Sequence, residues 1–349
     1  DRRARPACVV LVDPHRDLAD AALGAVPADR RDDVVVLDIA EAARPFGLNL
    51  LDVGLGWDRD KAVANALGIF RREFDRFWGP RMEDAFRFAL LTLAAANERM
   101  CAEDPDGGRG RQHTLLDVGP LLGNAAFRRG VLSTVDDPVV RGWWSDYFEQ
   151  LDRRLQQEVI NPVLTKIAHF AGSRAASRIV GQPRSTVDPA DWLARGAVVV
   201  VSTAKGVVGE GTAALLGGTL VNLVALVVGE QARLRPDERR RCTLIVDECQ
   251  AMPGADYEAI LAELGKYGAS LVLATQSVAR LEALDRERGR SLRATVFANL
   301  DGLCAFHCSA DDARFLVREL GDEVEEADLL DLGEHRCYCK LSSCGARLP

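Results

Sequence analysis

The stretch CTLIVDECQ, residues 242–250, says most about the fold of this chain. Its apolar run is typical of a buried parallel strand, and it ends in two acids, Asp247 and Glu248. In α/β proteins, ligands bind at the carboxyl ends of the strands. Two adjacent carboxylates there can divide the work of phosphoryl transfer. Asp247 would hold Mg²⁺, and Glu248 would orient and deprotonate the attacking water. The alternative is a pair of solvated acids.

The next apolar run along the chain, SLVLATQS at 270–277, also ends in polar residues, Thr275 and Gln276. An amide can both donate and accept a hydrogen bond, so Gln276 is suited to sensing the terminal phosphate of a nucleotide. The alternative for Gln276 is a polar cap on a strand end. Adjacent Asp and Glu on one strand, followed by Thr and Gln on the next, are more specific than either feature alone.

The same alternation of apolar runs and helical patterns extends along the rest of the chain. Alternating strands and helices predict an α/β fold, with a mostly parallel sheet covered by helices on both faces. A further apolar run lies at 34–39. We expect one sheet to contain the strands near 8–13, 197–203, 243–248, 270–275 and 301–308.

A block with helical patterns and no convincing strand interrupts this alternation. Its first helix places Phe86, Leu90 and Leu93 on one face. We therefore interpret the block as an all-α domain inserted into the α/β domain. The predicted division is 1–79 for the first part of the α/β domain, 80–182 for the insertion and 183–349 for the second part.

Composition narrows the classes of function. The chain has 349 residues, 48% hydrophobic content, a mean hydropathy of -0.05 and a net charge of -8, which fit a soluble globular protein without a global basic surface. A passive DNA-binding module is disfavoured, whereas a motor can hold DNA with a few cations in a ring pore. Residues 211–229 carry no charge, and we favour a buried core helix over a membrane span.

The nine cysteines include no CxxC pair. Ordinary reduced thiols are the favoured interpretation. A metal site is the alternative, because several Cys and His residues lie near the carboxyl end of the sequence. That candidate cluster comprises Cys304, Cys308, His335, Cys337, Cys339 and Cys344.

Several motifs occur in an order that resembles the TraG/TraD-type coupling ATPases of conjugation and type IV secretion, within the larger HerA/FtsK group. They are DPHRDLA (13–19), FGLNLLD (46–52), WGPRMEDAFRFALLTL (78–93), NPVLTKIAHF (161–170), VVVVSTAKGVVGE (198–210), LIVDECQ (244–250), ELGKYGASLVLATQS (263–277) and CSADDARFL (308–316). The similarity covers nearly the whole chain. In it, Asp247, Glu248 and Gln276 match the Walker B pair and the sensor glutamine.

The resemblance implies a RecA-like nucleotide-binding domain with an inserted all-α domain. It also implies ATP and Mg²⁺ as cofactors, and hexamers that hydrolyse ATP between subunits. A membrane anchor is expected upstream, which would place the chain in the cytoplasm at the inner face of the membrane. The implied partners are DNA, type IV secretion channel components, and relaxase or effector substrates.

The sequence departs from the family pattern in three places. No GxxxxGK[ST] phosphate loop occurs, and the resemblance places this loop just upstream of Asp1; its true loss is the alternative. Arg16 stands where relatives often have glycine, and we favour a surface residue over a phosphate contact. Gly265 replaces an arginine that reaches the neighbouring subunit's nucleotide. Its candidate substitutes are Lys266, Arg174 and Arg178.

Further candidates surround the expected nucleotide. Lys205 and Gly206, in the turn after the AVVVVST run, could contact an anion, with a solvated lysine as the equal alternative. Asp13, at the end of a buried strand, could orient the metal or the phosphate loop, with helix capping as the alternative.

The favoured hypothesis is a motor ATPase that couples ATP hydrolysis to transfer of DNA, and of protein in some systems. One rival is a HerA-type DNA translocase in repair or defence. Another is a non-hydrolysing receptor that docks secretion substrates. Without the phosphate loop, the 349-residue chain is expected to bind ATP poorly and to hydrolyse it negligibly.

Overall fold

The computed structural model describes residues 6–74, 78–282, 292–321, 324–343 and 346–347. Five parallel strands form the main sheet in the order β2-β3-β1-β4-β5. They are β1 Cys8–Asp13, β2 Val34–Asp38, β3 Val198–Ser202, β4 Cys242–Val246 and β5 Ala269–Leu273. The apolar runs at 8–13, 197–203, 243–248 and 270–275 therefore share one sheet, as predicted. The predicted α/β, RecA-like fold class is confirmed.

The prediction that 301–308 belongs to the same sheet is wrong. β6 Gly302–Ala305 pairs antiparallel with β7 Tyr338–Ser343, which pairs with β8 Ala346–Arg347 in a separate sheet. A small core of its own supports β6, including Ala305, Ala313 and Leu316. A short apolar run looks the same in sequence whichever partner it pairs with, so the pattern could not distinguish the two sheets.

Helices cover the main sheet and also form the strand-free block between β2 and β3. In the first half they are α1 Asp17–Ala25, α2 Arg59–Glu73, α3 Pro80–Glu103, α4 Val118–Gly123, α5 Ala125–Leu132, α6 Pro138–Gly142, α7 Arg153–Ala171 and α8 Arg174–Val180. In the second half they are α9 Pro189–Arg195, α10 Lys205–Val208, α11 Glu210–Glu230, α12 Tyr257–Ala259, α13 Leu292–Ala298, α14 Ala310–Leu320 and α15 Glu326–Leu330. α12 continues through a π-helical and a 3-10 turn to Tyr267.

Residues 80–182, all of which the structure describes, contain helices and no strand, as predicted. Phe86, Leu90 and Leu93 of α3 are fully buried, which confirms the predicted apolar face. They belong to one continuous core that also includes strand residues such as Val10 and Val199. The division of the chain into three domain segments stays a prediction.

The uncharged segment forms α11, which follows β3. Among the described residues, this helix alone is long and apolar enough to cross a membrane, yet 72% of its most apolar window is buried within the fold. Its polar residues are also satisfied inside the protein: Asn222 Nδ2 donates to Gly254 O at 2.9 Å, and Thr219 Oγ1 to Leu215 O at 2.7 Å. A Cβ at Gly217 would lie 2.8 Å from Met252 Sδ, so close packing requires glycine there. α11 is thus a core helix in this fold.

A buried carboxylate fastens the loop before α2 to the helical block. The Asp52 side chain is fully buried and accepts hydrogen bonds from Arg109 Nη2 at 2.9 Å, Gln112 Nε2 at 2.7 Å, Ser185 N at 2.8 Å and Gly54 N at 2.8 Å. Burial would raise the pKa of Asp52, but these hydrogen bonds outweigh it and lower the pKa. We name this group of five residues the Asp52 knot.

Candidate functional site

Strained backbone is concentrated at the carboxyl edge of the three central strands. The described residues include four non-glycine residues with positive φ, and three lie at this edge: Arg16 after β1 (86°), Ala204 after β3 (46°) and Glu248 after β4 (42°). Each such residue costs on the order of 1–3 kcal/mol, and such strain clusters at active sites. Three adjacent turns therefore keep an unfavourable conformation at one place in the sheet.

The Glu248 carboxylate is the meeting point of these turns. Lys205 Nζ lies 2.5 Å from Glu248 Oε2, and His15 Nε2 lies 3.1 Å from the same oxygen. Gln276 Nε2 donates to the other oxygen, Oε1. The Glu248 side chain is 10% exposed. Segments following β1, β3, β4 and β5 thus each contribute one side chain to a single cluster, which we name the Glu248 cluster.

Asp13 shapes the turn that carries His15. Its carboxylate accepts hydrogen bonds from His15 N at 2.7 Å and from Ala19 N at 2.8 Å, in the first turn of α1. Asp13 is completely buried. Lys205 N donates to Pro14 O at 3.0 Å, which ties the turn after β3 to the turn after β1. The Asp13 carboxylate thus accepts backbone hydrogen bonds at the start of α1, although Arg16 and not Asp13 is the N-cap residue of that helix. A contact of Asp13 with the metal or phosphate loop stays a prediction.

The two acids after β4 differ in environment. Burial would raise the pKa of Glu248, but the hydrogen bonds and charges of Lys205 and His15 lower it. Burial raises the pKa of Asp247, and the nearby carboxylates of Asp13 and Glu248 raise it further. Glu248 is therefore held as a carboxylate, whereas Asp247 lies in a region with surplus negative charge.

Asp247 fits a divalent cation that is bound together with other ligands. The backbone N–H of Glu248 donates a hydrogen bond to the Asp247 carboxylate. Within the described part of the chain, no cluster of three or more His, Cys, Asp and Glu residues could hold a metal alone. Mg²⁺ commonly takes one or two carboxylates and completes its shell with phosphates and water. Both amide atoms of Gln250, two residues after Glu248, are also buried without a hydrogen-bond partner among the described residues. These unsatisfied groups fit a site that a polar ligand completes.

The remaining sequence candidates lie apart from the Glu248 cluster. Gly206 is exposed in α10. Lys266 is exposed before β5, at the opposite edge of the sheet, and its Nζ lies 5.0 Å from the Tyr267 ring centroid. Arg16 Nη2 pairs with Asp38 Oδ2 at 2.8 Å, as a surface residue would. Contacts of Gly206 and Lys266 with nucleotide, in this subunit or a neighbouring one, stay predictions.

Sequence reasoning missed His15 as a member of the site. Its only signal was a position two residues after the strand-ending Asp13. The parallel order β1-β4 then brings the turn after β1 beside Glu248. Lys205 was predicted to contact an anion, and the anion it contacts in this structure is the Glu248 carboxylate.

The candidate metal cluster near the carboxyl end is partly assembled. Cys339 Sγ lies 3.3 Å from Cys304 Sγ and 3.5 Å from Cys337 Sγ, and all three thiols are exposed. Cys344 lies outside the described residues. Among the residues that are described, no group suited to holding a metal was found.

The fold is shared with known structures. The bacterial conjugative coupling protein TrwB, in its unbound form, matches at 16% identity and a TM-score of 0.65, covering 98% of this chain and 78% of that one. TrwB in complex with ADP and Mg²⁺ matches at 15% identity and a TM-score of 0.66, covering 99% and 78%. VirB4 of Thermoanaerobacter pseudethanolicus matches at 15% identity and a TM-score of 0.55, covering 94% and 77%. No family model matches the sequence, and no curated protein matches it significantly.

Proposed function

We propose that this chain is the ATP-hydrolysing core of a motor that drives DNA, and in some systems protein, through a conjugation or type IV secretion apparatus. The observation that carries the proposal is the Glu248 cluster. It places a carboxylate, a lysine, a histidine and a glutamine at the carboxyl edge of a parallel sheet. The fold shared with TrwB, which has been solved with ADP and Mg²⁺, supports the same proposal.

In this proposal the two acids have separate tasks. Glu248 would orient the attacking water and accept its proton. Its lowered pKa keeps it ionised at neutral pH but makes it a weaker base. Gln276 is already hydrogen-bonded to Glu248. Its amide would also contact the terminal phosphate, and so couple the presence of that phosphate to the position of the Glu248 carboxylate. Asp247 would hold Mg²⁺, which neutralises charge on the phosphates. Lys205 would supply positive charge next to the same site.

The wider assembly is proposed from the resemblance in sequence. We infer a homohexamer that binds ATP between subunits, works on DNA, and docks with secretion channel components and relaxase or effector substrates. Attachment to the inner face of the membrane and a position in the cytoplasm belong to the same inference. Lys266 is the proposed cation that reaches across the subunit interface, since Gly265 leaves the preceding position without a side chain.

The test is Glu248→Gln in the full-length protein. The substitution keeps size and hydrogen bonding and removes the basic carboxylate. ATP turnover should fall by about 10²–10⁴-fold, the usual contribution of a positioned general base, while nucleotide binding is retained. The same protein without its phosphate loop should bind ATP poorly.

The rival hypotheses give different results in the same test. A docking receptor would keep substrate recruitment and secretion in the Glu248→Gln variant. A repair or defence translocase would lose turnover without any link to secretion. Unchanged ATPase and unchanged transfer activity in Glu248→Gln would overturn the motor proposal.

A further inference from the structure

The Glu248 carboxylate is crowded for a group that has to bind a water molecule. A carboxylate offers about four acceptor positions on its two oxygens. Lys205 and His15 both occupy Oε2, and Gln276 occupies Oε1. Of these partners, Lys205 brings an ammonium charge, and its Nζ lies 2.5 Å from Oε2. About one position therefore stays open on the carboxylate, but the ion pair with Lys205 makes Glu248 a weaker base towards a water bound there.

The turn that follows Lys205 is largely exposed to solvent. Ala204 precedes it in a left-handed conformation, and Gly209 with a φ of 87° follows the single turn of α10. A Cβ added at Gly206 or Gly209 would meet no atom within 4 Å, and Val207 is 75% exposed. The Lys205 side chain is itself 23% exposed. The Lys205 backbone is held by its N–H donation to Pro14 O, so the ammonium would leave Glu248 by rotation of the side chain towards the exposed side of this turn.

We infer that Lys205 is a latch on Glu248 that a phosphate group opens. Without a phosphate nearby, the ammonium holds the carboxylate. A phosphate oxyanion competes for the same ammonium, draws it away and leaves Oε2 free to accept a hydrogen bond from water. The inference rests on the proposed function, because it makes Lys205 a positioning residue for Glu248. The phosphate could belong to the nucleotide or to the DNA backbone, and the test separates these two sources.

A second ion pair provides a matched control. Lys61 Nζ lies 2.5 Å from Glu230 Oε1, and the exposed fractions of these side chains are 24% and 28%. The pair joins α2 to α11, away from the strand ends. A carbodiimide joins a lysine amine to a carboxylate that it contacts, so both pairs should give crosslinked peptides measurable by mass spectrometry. The ratio of the 205–248 crosslink to the 61–230 crosslink corrects for reagent consumed by the added phosphates.

The crosslinking experiment uses the full-length protein in three arms: no addition, a non-hydrolysable ATP analogue with Mg²⁺, and a single-stranded oligonucleotide without nucleotide. In at least one arm the ratio should fall by about fivefold or more, the lower end of typical coupling between sites. The arm in which it falls identifies the source of the phosphate. A ratio unchanged in both arms, or a 61–230 crosslink without any 205–248 crosslink, would overturn the latch.

Kinetics provide the second readout. Lys205→Met removes the ammonium. If the crosslink ratio falls in the oligonucleotide arm, ATP turnover of this variant without DNA should rise and its stimulation by DNA should shrink. Lys205→Arg should restore the dependence on DNA, and Lys61→Met should behave like the unmodified protein. A fall in unstimulated turnover in Lys205→Met would show that the lysine assists the reaction directly, which would overturn the latch. Absence of turnover in every variant, the unmodified protein included, would instead count against the proposed function, while the crosslink ratio would still test the latch.

Discussion

The Asp52 knot and the Glu248 cluster each surround one acidic side chain with hydrogen-bond donors, and in both the pKa of the acid is lowered. Their partners differ in kind. Asp52 accepts from two backbone N–H groups as well as from Arg109 and Gln112. The partners of Glu248 are all side chains, which can rotate away.

The backbone conformations of Asp52 and Glu248 also differ. Glu248 has a left-handed conformation, whereas Asp52 has an extended φ of -71° and ψ of 115°. The Asp52 knot joins distant loops by hydrogen bonds, and Asp52 itself has an ordinary backbone conformation. The knot should therefore contribute mainly to stability. The Glu248 cluster stores strain and holds exchangeable contacts, so it should contribute mainly to function. The four predictions that follow test this contrast.

The largest effect on folding is expected for Asp52→Ala. The change leaves the partly buried Arg109 and several buried donors without their acceptor. The free energy of unfolding should fall by about 2–4 kcal/mol, measured by urea denaturation. The control is Asp58→Ala, which removes an exposed helix-capping carboxylate and should cost only about 1 kcal/mol. Equal losses in the two variants would contradict the special role of the knot.

The pH dependence of stability should also depend on the knot. Because the folded pKa of Asp52 is lowered, its contribution is present above the unfolded value of about 3.9. That contribution is lost as pH falls through the folded pKa, since the carboxyl is then protonated in both states. Urea denaturation of Asp52→Asn should therefore show a smaller loss of stability between neutral pH and pH 3 than the unmodified chain. An identical pH profile in both proteins would contradict the lowered pKa.

At the strained position of the site, glycine should be more stable than alanine, and both substitutions should abolish function. Glu248→Gly should be more stable than Glu248→Ala by about 1 kcal/mol, because only glycine adopts the left-handed conformation without strain. Neither variant should retain the turnover proposed for the full-length protein. Thermal denaturation of the two variants measures the difference. If the alanine variant were the more stable, the strain at the strand end would not be real in solution.

The smallest effect is expected for Arg16→Gly, which introduces the glycine that the coupling ATPases resembled in sequence often have at this position. Glycine relieves the left-handed strain, which stabilises the fold by about 1 kcal/mol. It also removes the ion pair with Asp38, and exposed ion pairs of this kind contribute about 0.2–1 kcal/mol. The net change in unfolding free energy should be within about 1 kcal/mol. Arg16→Ala, which loses the pair and keeps most of the strain, should be the less stable of the two.

Much of the fold could be predicted because its signals are local. Asp188 caps α9 and Gly196 ends it in a left-handed conformation, and Ser309 caps α14 with Gly321 following it. These residues act on backbone groups within a few positions of themselves, so a single sequence contains the whole interaction. The four strands placed correctly in the main sheet are apolar runs. In β1 and β3 the run is buried along nearly its whole length, as a parallel strand covered on both faces requires.

The sequence alone also placed Asp247, Glu248 and Gln276 at neighbouring strand ends, because the carboxyl ends of parallel strands meet at one edge of a sheet. The tertiary structure decided which sheet β6 joins, and it brought His15 and Lys205 onto the carboxylate of Glu248. These outcomes depend on strand order, since β1 lies between β3 and β4 although more than 180 residues separate it from either in the chain. Contacts across that distance arise from the packing of the whole sheet, and no local pattern of residue types encodes them.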